Sequence, residues 1–443
     1  MKLVNIHKLI ALSLVLFASA GMAHGQEWSL KACVDTALVR NKGLAVAKNE
    51  MLISREKNKE VKSNLYPRVT AKADYKYFTD LPYQLMPMSV FGGPEGQYKE
   101  AQFGVPHNIN ASVQVFMPLY NSQIYGAIEA TRIGEEISEI KYLKSKEELV
   151  FEVSNLYYNG QIIRSQLFFV DSNLSNTARL LDNMRLLREQ KMIRDSDLKK
   201  VQLQYEQLET QKMILESKYE QLMSALKFAI GIPASRPFDV AFRIIHDDTA
   251  EYEAKSTLDM RLVMTQSRFL QSEISTLKNS RLPSVALIGS YGYMGYGYDE
   301  KPNDFLNFYP VSFAGIQMSY TLFNGNATRK KILQKEYQLE NTRLQYDLLE
   351  DKTRMQRANA ELRIRTAAKS IETSLHQIEL AQDVYNQSIV QQREGTAALS
   401  DVLLADTALR EAQQSYLAAV IEYMKADLEW KKFSGNILSN KRK

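Results

Sequence analysis

Arg68-Val69-Thr70-Ala71-Lys72-Ala73-Asp74-Tyr75-Lys76-Tyr77 alternates with period two. Val69, Ala71, Ala73, Tyr75 and Tyr77 fall on one side; Arg68, Thr70, Lys72, Asp74 and Lys76 fall on the other. Successive side chains of a strand point to opposite faces, so the stretch predicts a strand with one apolar and one charged face. Three more stretches follow the rule. Asn108 to Met117 sets Ile109, Ala111, Val113, Val115 and Met117 against Asn108, Asn110, Ser112, Gln114 and Phe116. Ala314 to Leu322 sets Ala314, Ile316, Met318, Tyr320 and Leu322 against Gly315, Gln317, Ser319 and Thr321. Val285 to Tyr293 is weaker and runs into the Gly/Tyr-rich segment Gly289 to Tyr298. The expected strands are about 68–78, 108–118, 284–294 and 312–322.

Strands of roughly 9–11 residues have the length of a tilted strand crossing a bilayer. A half-buried sheet in a soluble domain alternates in the same way. Four matched lengths and an N-terminal secretory signal favour the membrane. On that reading Lys72, Asp74, Lys76, Gln114 and Gln317 face water inside a barrel. Four strands cannot close one, since about eight are needed. An open edge in lipid leaves backbone groups unsatisfied. Several copies must therefore join, and three would give twelve strands.

The signal is Met1 to Gly25: Lys2 and Lys8, an apolar run from Leu9 to Ala18, then small residues ending Ala23-His24-Gly25. That order of charged, apolar and small regions marks a cleaved leader. Cleavage is expected after Gly25, with Ala20 and Ala23 as alternatives. No later segment is long and apolar enough for a transmembrane helix. The mean hydropathy of −0.33 agrees. The formal net charge of +5 is too small to argue for nucleic acid. A single cysteine, Cys33, excludes an intrachain disulfide and a cysteine metal cage.

The rest is helical in pattern and duplicated. Leu65-Tyr66-Pro67 recurs as Arg281-Leu282-Pro283, Pro118-Leu119-Tyr120-Asn121 as Thr321-Leu322-Phe323-Asn324, and Ser196-Asp197-Leu198 as Ser400-Asp401-Val402. Each copy reads helix, strand, loop, strand, long helix, tight turn, helix. The expected organisation is a signal at 1–25, a first repeat at 26–230, a linker at 231–255, a second repeat at 256–435 and a polar tail at 436–443. Ser122 to Gln190 lacks proline, and Asn326 to Glu394 lacks proline and glycine. At 1.5 Å per residue each would span about 100 Å, too long for a compact domain. The last helix carries Val402, Ala405, Leu409, Ala412, Tyr416, Ala419, Tyr423, Ala426, Trp430 and Phe433 at strict 3-4 spacing, a coiled-coil seam. The first copy repeats it from Leu198 to Ala229, broken by Lys212, whose stem can lie along the seam with its ammonium in water.

These landmarks resemble the TolC-like outer-membrane efflux protein family. The residues carrying the resemblance are Leu30-Lys31-Ala32-Cys33-Val34-Asp35-Thr36-Ala37-Leu38 with Asn41, Leu65-Tyr66-Pro67, Pro118-Leu119-Tyr120-Asn121, Gly231-Ile232-Pro233, Leu322-Phe323-Asn324-Gly325 and Glu394-Gly395-Thr396 leading to Ser400-Asp401-Val402-Leu403. The resemblance implies an α+β membrane protein, a homotrimer whose twelve-stranded barrel continues into a periplasmic α-helical coiled-coil tunnel. It also implies an exit duct for efflux or type I secretion, partnered by a periplasmic adaptor and a proton-driven or ATP-driven inner-membrane transporter, with no cofactor and no enzymatic activity. Small-molecule efflux is the favoured cargo class over protein secretion. The other reading is an extracytoplasmic coiled-coil scaffold that conducts nothing.

Ser196, Asp197, Ser400 and Asp401 follow the two helix turns, where the resemblance places the periplasmic aperture; an aspartate there can equally cap its helix. The chain departs from the family pattern in three places. Lys191 stands where the second copy has Gly395, which predicts a different backbone solution or a different side of the turn. Ala397 stands where family members can carry a locking arginine. Leu404 replaces a second constriction aspartate. Met86 and Met88 flank Pro87 in an expected external loop; thioethers suit monovalent copper, but these are more simply loop residues. No Walker loop, His-Glu-x-x-His pair or Gly-x-Ser-x-Gly elbow occurs.

Overall fold

The structure is a computed structural model that describes residues 27–242, 255–297 and 308–438. The leader, Asp247-Asp248, Tyr298 and the end of the tail lie outside the described residues. The chain forms two compact units. One holds residues 27–50, 139–242, 255–262 and 345–438; the other holds 51–138, 263–297 and 308–344.

In the first unit, β1 (Glu27–Trp28) pairs in parallel with β6 (Asp239–Val240). Between them in sequence come α1 (Leu30–Arg40), the start of α2 (Lys42–Ser63), most of α3 (Ser122–Glu189) and α4 (Asp195–Ile230). Most of α6 (Ala327–Arg393) and all of α7 (Leu399–Phe433) complete it. The first helical stretch, read from the sequence as one helix, is broken at Asn41, which is extended at φ −64°, ψ 122°. Its Oδ1 accepts the Leu44 N–H at 2.8 Å, capping α2, and its Nδ2 donates to the Ala229 carbonyl at 2.8 Å. One side chain thus satisfies an orphan donor of one helix and an orphan acceptor of another. Gly231 follows α4 at φ +79°, and a Cβ there would lie 2.6 Å from the Arg40 carbonyl oxygen. Only glycine permits both that dihedral and that approach. Cys33, Ala37, Leu149, Val153, Leu226 and Val240 make the core of this junction, and burial pushes the Cys33 thiol up to about 12.

A second core lies at the helix turns. Leu180, Leu181 and Met184 of α3, Val201 of α4, Tyr385 of α6 and Val402, Ala405 and Leu409 of α7 pack together. The 3-4 stripe of α7 supplies Val402, Ala405, Leu409, Ala412, Ala419, Tyr423 and Ala426 as buried residues, but Leu417, Val420, Met424 and Leu428 are buried too. The apolar face is therefore wider than a two-helix seam. Lys212 does not simply reach water: its ammonium pairs with Asp171 on α3 at 2.8 Å. Two polar contacts cross the core. Asn173 donates to Gln413 at 2.9 Å. The Asp406 carboxylate, 4% exposed, accepts from Gln204 and pairs with Arg410 at 2.5 Å.

The second unit holds the lower part of α2, the start of α3, most of α5 (Leu258–Asn279), the start of α6 and the strands. Its helices are tied by Arg55–Glu135 at 3.0 Å, Arg268–Glu136 at 2.8 Å and Lys335–Glu273 at 2.7 Å. The main sheet is antiparallel, in the order β2 (Arg68–Tyr77), β5 (His107–Tyr120), β7 (Ser284–Gly297), β8 (Phe308–Ser319). The fourth strand starts earlier than expected and stops at Ser319 rather than 322. Its first half carries Tyr309, Val311 and Phe313 on the face expected to be polar, so the sequence alternation is absent there. Beyond Ser319, Gly325 and Asn326 take φ +63° in the turn to α6. The segment expected to be only loop after β2 contains a separate hairpin, β3 (Tyr83–Pro87) with β4 (Tyr98–Gln102). Met86 and Pro87 lie in β3, and Met88 opens a short 3-10 turn.

Candidate functional site: a two-faced sheet and a pair of helix turns

Residues directly opposite in an antiparallel ladder share a face. The register pairs Val69 with Val115, Ala71 with Val113, Ala73 with Ala111 and Tyr75 with Ile109. It also pairs Thr70 with Gln114, Lys72 with Ser112, Asp74 with Asn110 and Lys76 with Asn108. Apolar meets apolar and polar meets polar. The pattern continues through Met117–Leu287 and Leu287–Ile316 on the first face. On the second, Pro118 pairs with Ala286 and Ala286 with Gln317. The structure therefore brings Lys72, Asp74, Lys76, Gln114 and Gln317 to one face. That face is not uniformly polar, because Phe116, Ile288, Tyr309 and Phe313 also stand on it. Both sides of β2 and nearly all of β8 are exposed, and each keeps one edge unpaired among the described residues.

Aromatic side chains gather on the apolar face towards the end at which β2 finishes and β8 begins. Tyr75 shares a hydrogen bond with His107 Nδ1 at 2.8 Å, and Tyr77 lies 4.8 Å from the His107 ring. Tyr291 and Tyr293 share a hydroxyl contact at 3.1 Å.

At the helix turns the two copies use one backbone motif. After α3, the Lys191 N–H donates to the Arg188 carbonyl at 2.8 Å and the Met192 N–H to the Leu187 carbonyl at 2.9 Å. After α6, the Gly395 N–H donates to Gln392 at 3.2 Å and the Thr396 N–H to Gln391 at 2.9 Å. Both are Schellman closures. Lys191 takes φ +59° and Gly395 φ +74°. The expectation of a different backbone solution at Lys191 is thus corrected: the lysine adopts the left-handed conformation that glycine adopts in the other copy, at a steric cost. The shared core at Val201 and Val402 puts both turns at the same end of this helical unit.

Asp197 and Asp401 are equivalent third residues of their helices, but their surroundings differ. Asp401 accepts the Ala398 N–H at 3.0 Å, so it closes the helix start from inside. Ala398 has no side-chain acceptor, and the cap is therefore one-sided. Asp401 has no ion-pair partner among the described residues. Asp197 pairs with Lys200 at 3.2 Å. The neighbouring Asp195, missed in the sequence, pairs with Arg188 at 2.9 Å and Lys199 at 3.0 Å, and Lys199 holds its carboxyl below the usual range. Ser196 and Ser400 occupy the second helical position beside these aspartates. Among the described residues no three His, Cys, Asp or Glu side chains are gathered as a metal site. No described helix is long and apolar enough to cross a membrane.

Residues 257–431 match the family described as outer membrane efflux protein. No curated protein sequence matches the chain. The outer membrane protein VceC of Vibrio cholerae superposes with TM-score 0.76 at 13% identity, covering 92% of this chain and 96% of that one. The CmeC outer membrane channel of Campylobacter jejuni gives 0.75 at 12% identity, over 92% and 85%. The MtrE outer membrane channel of Neisseria gonorrhoeae, in its open state, gives 0.71 at 16%, over 92% and 89%. At these identities the likeness is one of fold. Residues 257–431 thus carry the sequence pattern of the outer membrane efflux proteins, and over most of its length the chain has the fold of outer membrane channels.

Proposed function

We infer that the chain is the exit duct of a tripartite efflux system. Three copies join their four-stranded sheets edge to edge into a twelve-stranded barrel, and the long helices form a periplasmic tunnel. A periplasmic adaptor and an inner-membrane transporter deliver the cargo, and the transporter supplies the energy. Small molecules are the favoured cargo, with proteins of a type I secretion system as the second class. The observation that carries the reading is the sheet. Its register keeps one face free of charge while its edges stay unpaired, which suits lipid on one side, water on the other and neighbouring copies at both ends. The aromatic cluster on the uncharged face suits an interfacial girdle.

Ser196, Asp197, Ser400 and Asp401 would line the periplasmic aperture, with Asp401 contributing one carboxylate per copy. Converging carboxylates in a narrow mouth attract cations. The test is planar-bilayer conductance of the purified protein together with its mass in detergent. A detergent-dependent trimer that conducts is expected; a water-soluble monomer that conducts nothing would sink the duct and leave the scaffold reading. Asp401→Ala should lower cation preference, and Asp197→Ala should do so less, because Lys200 already offsets that charge. If selectivity is unchanged while the helix start frays, Asp401 is a cap alone. Co-purification of the native transporter separates the cargo classes: a proton-driven pump supports small molecules, and a peptidase-linked ATP-driven exporter supports protein.

A further inference from the structure

Every charged side chain of the four-stranded sheet is on β2: Arg68, Lys72, Asp74 and Lys76. Strands β5, β7 and β8 contribute none. All four lie on the same face, three cations against one carboxylate. The carboxylate is engaged, with Lys76 Nζ at 3.7 Å and the Asn110 amide donating at 3.3 Å. Arg68 reaches only the neutral Asn64 amide oxygen, at 3.5 Å. Lys72 has no ion-pair partner among the described residues.

The ground around Lys72 is low. Across the ladder at its level stand Ser112, then Gly292, then Val311. A Cβ at Gly292 would lie 2.7 Å from Ser112 Cβ and 2.4 Å from the Ala111 carbonyl oxygen, so that space is closed to larger residues. The levels on either side carry bulk: Tyr309 and Met294 at Asp74, Phe313 at Thr70. An uncompensated ammonium thus stands beside the smallest side chains of this face.

We propose that this face is an anion-recognition surface, with Lys72 its principal contact, and that the cargo or its conjugated groups include phosphate, sulfonate or carboxylate. The inference rests on the duct reading, in which this face lines the lumen and each copy presents one Lys72 at the same level. Its sign is opposite to that of the Asp401 carboxylates, and it acts through different residues, so the two can be measured apart. Three like charges at one level act together on a multivalent anion at separations near the Debye length, about 10 Å at 0.1 M salt.

The experiment is block of chloride current by inorganic tripolyphosphate across a planar bilayer at 0.1 M KCl, with the reversal potential measured in a KCl gradient. Lys72→Gln should raise the blocking concentration roughly tenfold and shift the reversal potential towards greater cation selectivity. Asp74→Asn should move both quantities the other way. Elution as the wild-type assembly in detergent controls for misfolding, and the opposite sign of the two variants separates charge from damage. If wild type conducts but neither variant changes block or selectivity, the anion surface is wrong and the duct stands. A wild-type protein that never conducts overturns both.

Discussion

Glu147 on α3 is only 7% exposed. Burial pushes its carboxyl up to about 7, from 4.5 for a free glutamate, with the carboxylates of Asp259 and Glu148 adding to the rise. The Lys432 and Lys144 ammoniums oppose it but do not win: Lys432 sits 4.8 Å over the Phe151 ring, and Lys144 is held by Asp259 at 2.8 Å. The fold therefore prefers the neutral acid. The folded pKa lies above the unfolded one, so the contribution is most favourable below about 4.5 and is lost as pH rises through 7. At about 1.4 kcal/mol per unit, the ionised group costs about 3 kcal/mol at pH 8. Glu147→Gln keeps the shape and removes the charge. It should be nearly neutral at pH 4.5 and should stabilise by up to about 3 kcal/mol at pH 8. The assay is thermal unfolding in detergent, followed by far-ultraviolet circular dichroism from pH 4.5 to 8.5. A gap between the two proteins that does not change with pH, or a glutamine variant less stable at pH 8, would refute the reasoning.

Lys191→Gly should stabilise by up to about 1 kcal/mol, read as a small rise in melting temperature, because relief of the left-handed strain exceeds the added freedom of the unfolded chain; a loss of stability would contradict the shared turn geometry. Gly231→Ala should cost about 2 kcal/mol or more, since φ +79° and the Arg40 carbonyl both resist a Cβ, and an unchanged melt would refute that packing. Asp406→Ala should destabilise by about 1–3 kcal/mol because Gln204 and the partly buried Arg410 lose their shared carboxylate acceptor, whereas a paired apolar replacement of Asp406 and Arg410 should recover most of the loss. Equal melts for the single and paired variants would show that the unpaired guanidinium is not the cause.

The β2 strand could be read from sequence because its alternation is clean and its charges are confined to one parity. The start of β8 could not, because Tyr309, Val311 and Phe313 make both parities apolar and the period of two disappears. The hairpin at β3 and β4 has strands of five residues, too short to show a period, and Pro87 argues against a strand. Asn41 carried a signal that could have been used: a capping residue between two helical stretches, before a new apolar run. Lys191 misled because left-handed backbone is read from glycine, and here a lysine adopts it. The contacts Gln204–Asp406 and Asn173–Gln413 join residues 202 and 240 positions apart; no local pattern announces such partners. Asp401 and Asp197 could be located by the repeat, yet their difference comes from Lys200 and from the Ala398 N–H, which only the folded helix starts bring into place.

The strand order has a consequence of parity. The four strands run up, down, up, down, so the first and last edges point in opposite senses. Each chain is an even tile, and tiles laid side by side keep the antiparallel alternation for any number of them. Pairing rules therefore set the seam between neighbours without counting them. In the barrel proposed above, ring size is an angular quantity, set by how far each tile would turn relative to the next, and substitutions that change twist or helix packing would alter it while every ladder bond within the tile remains intact.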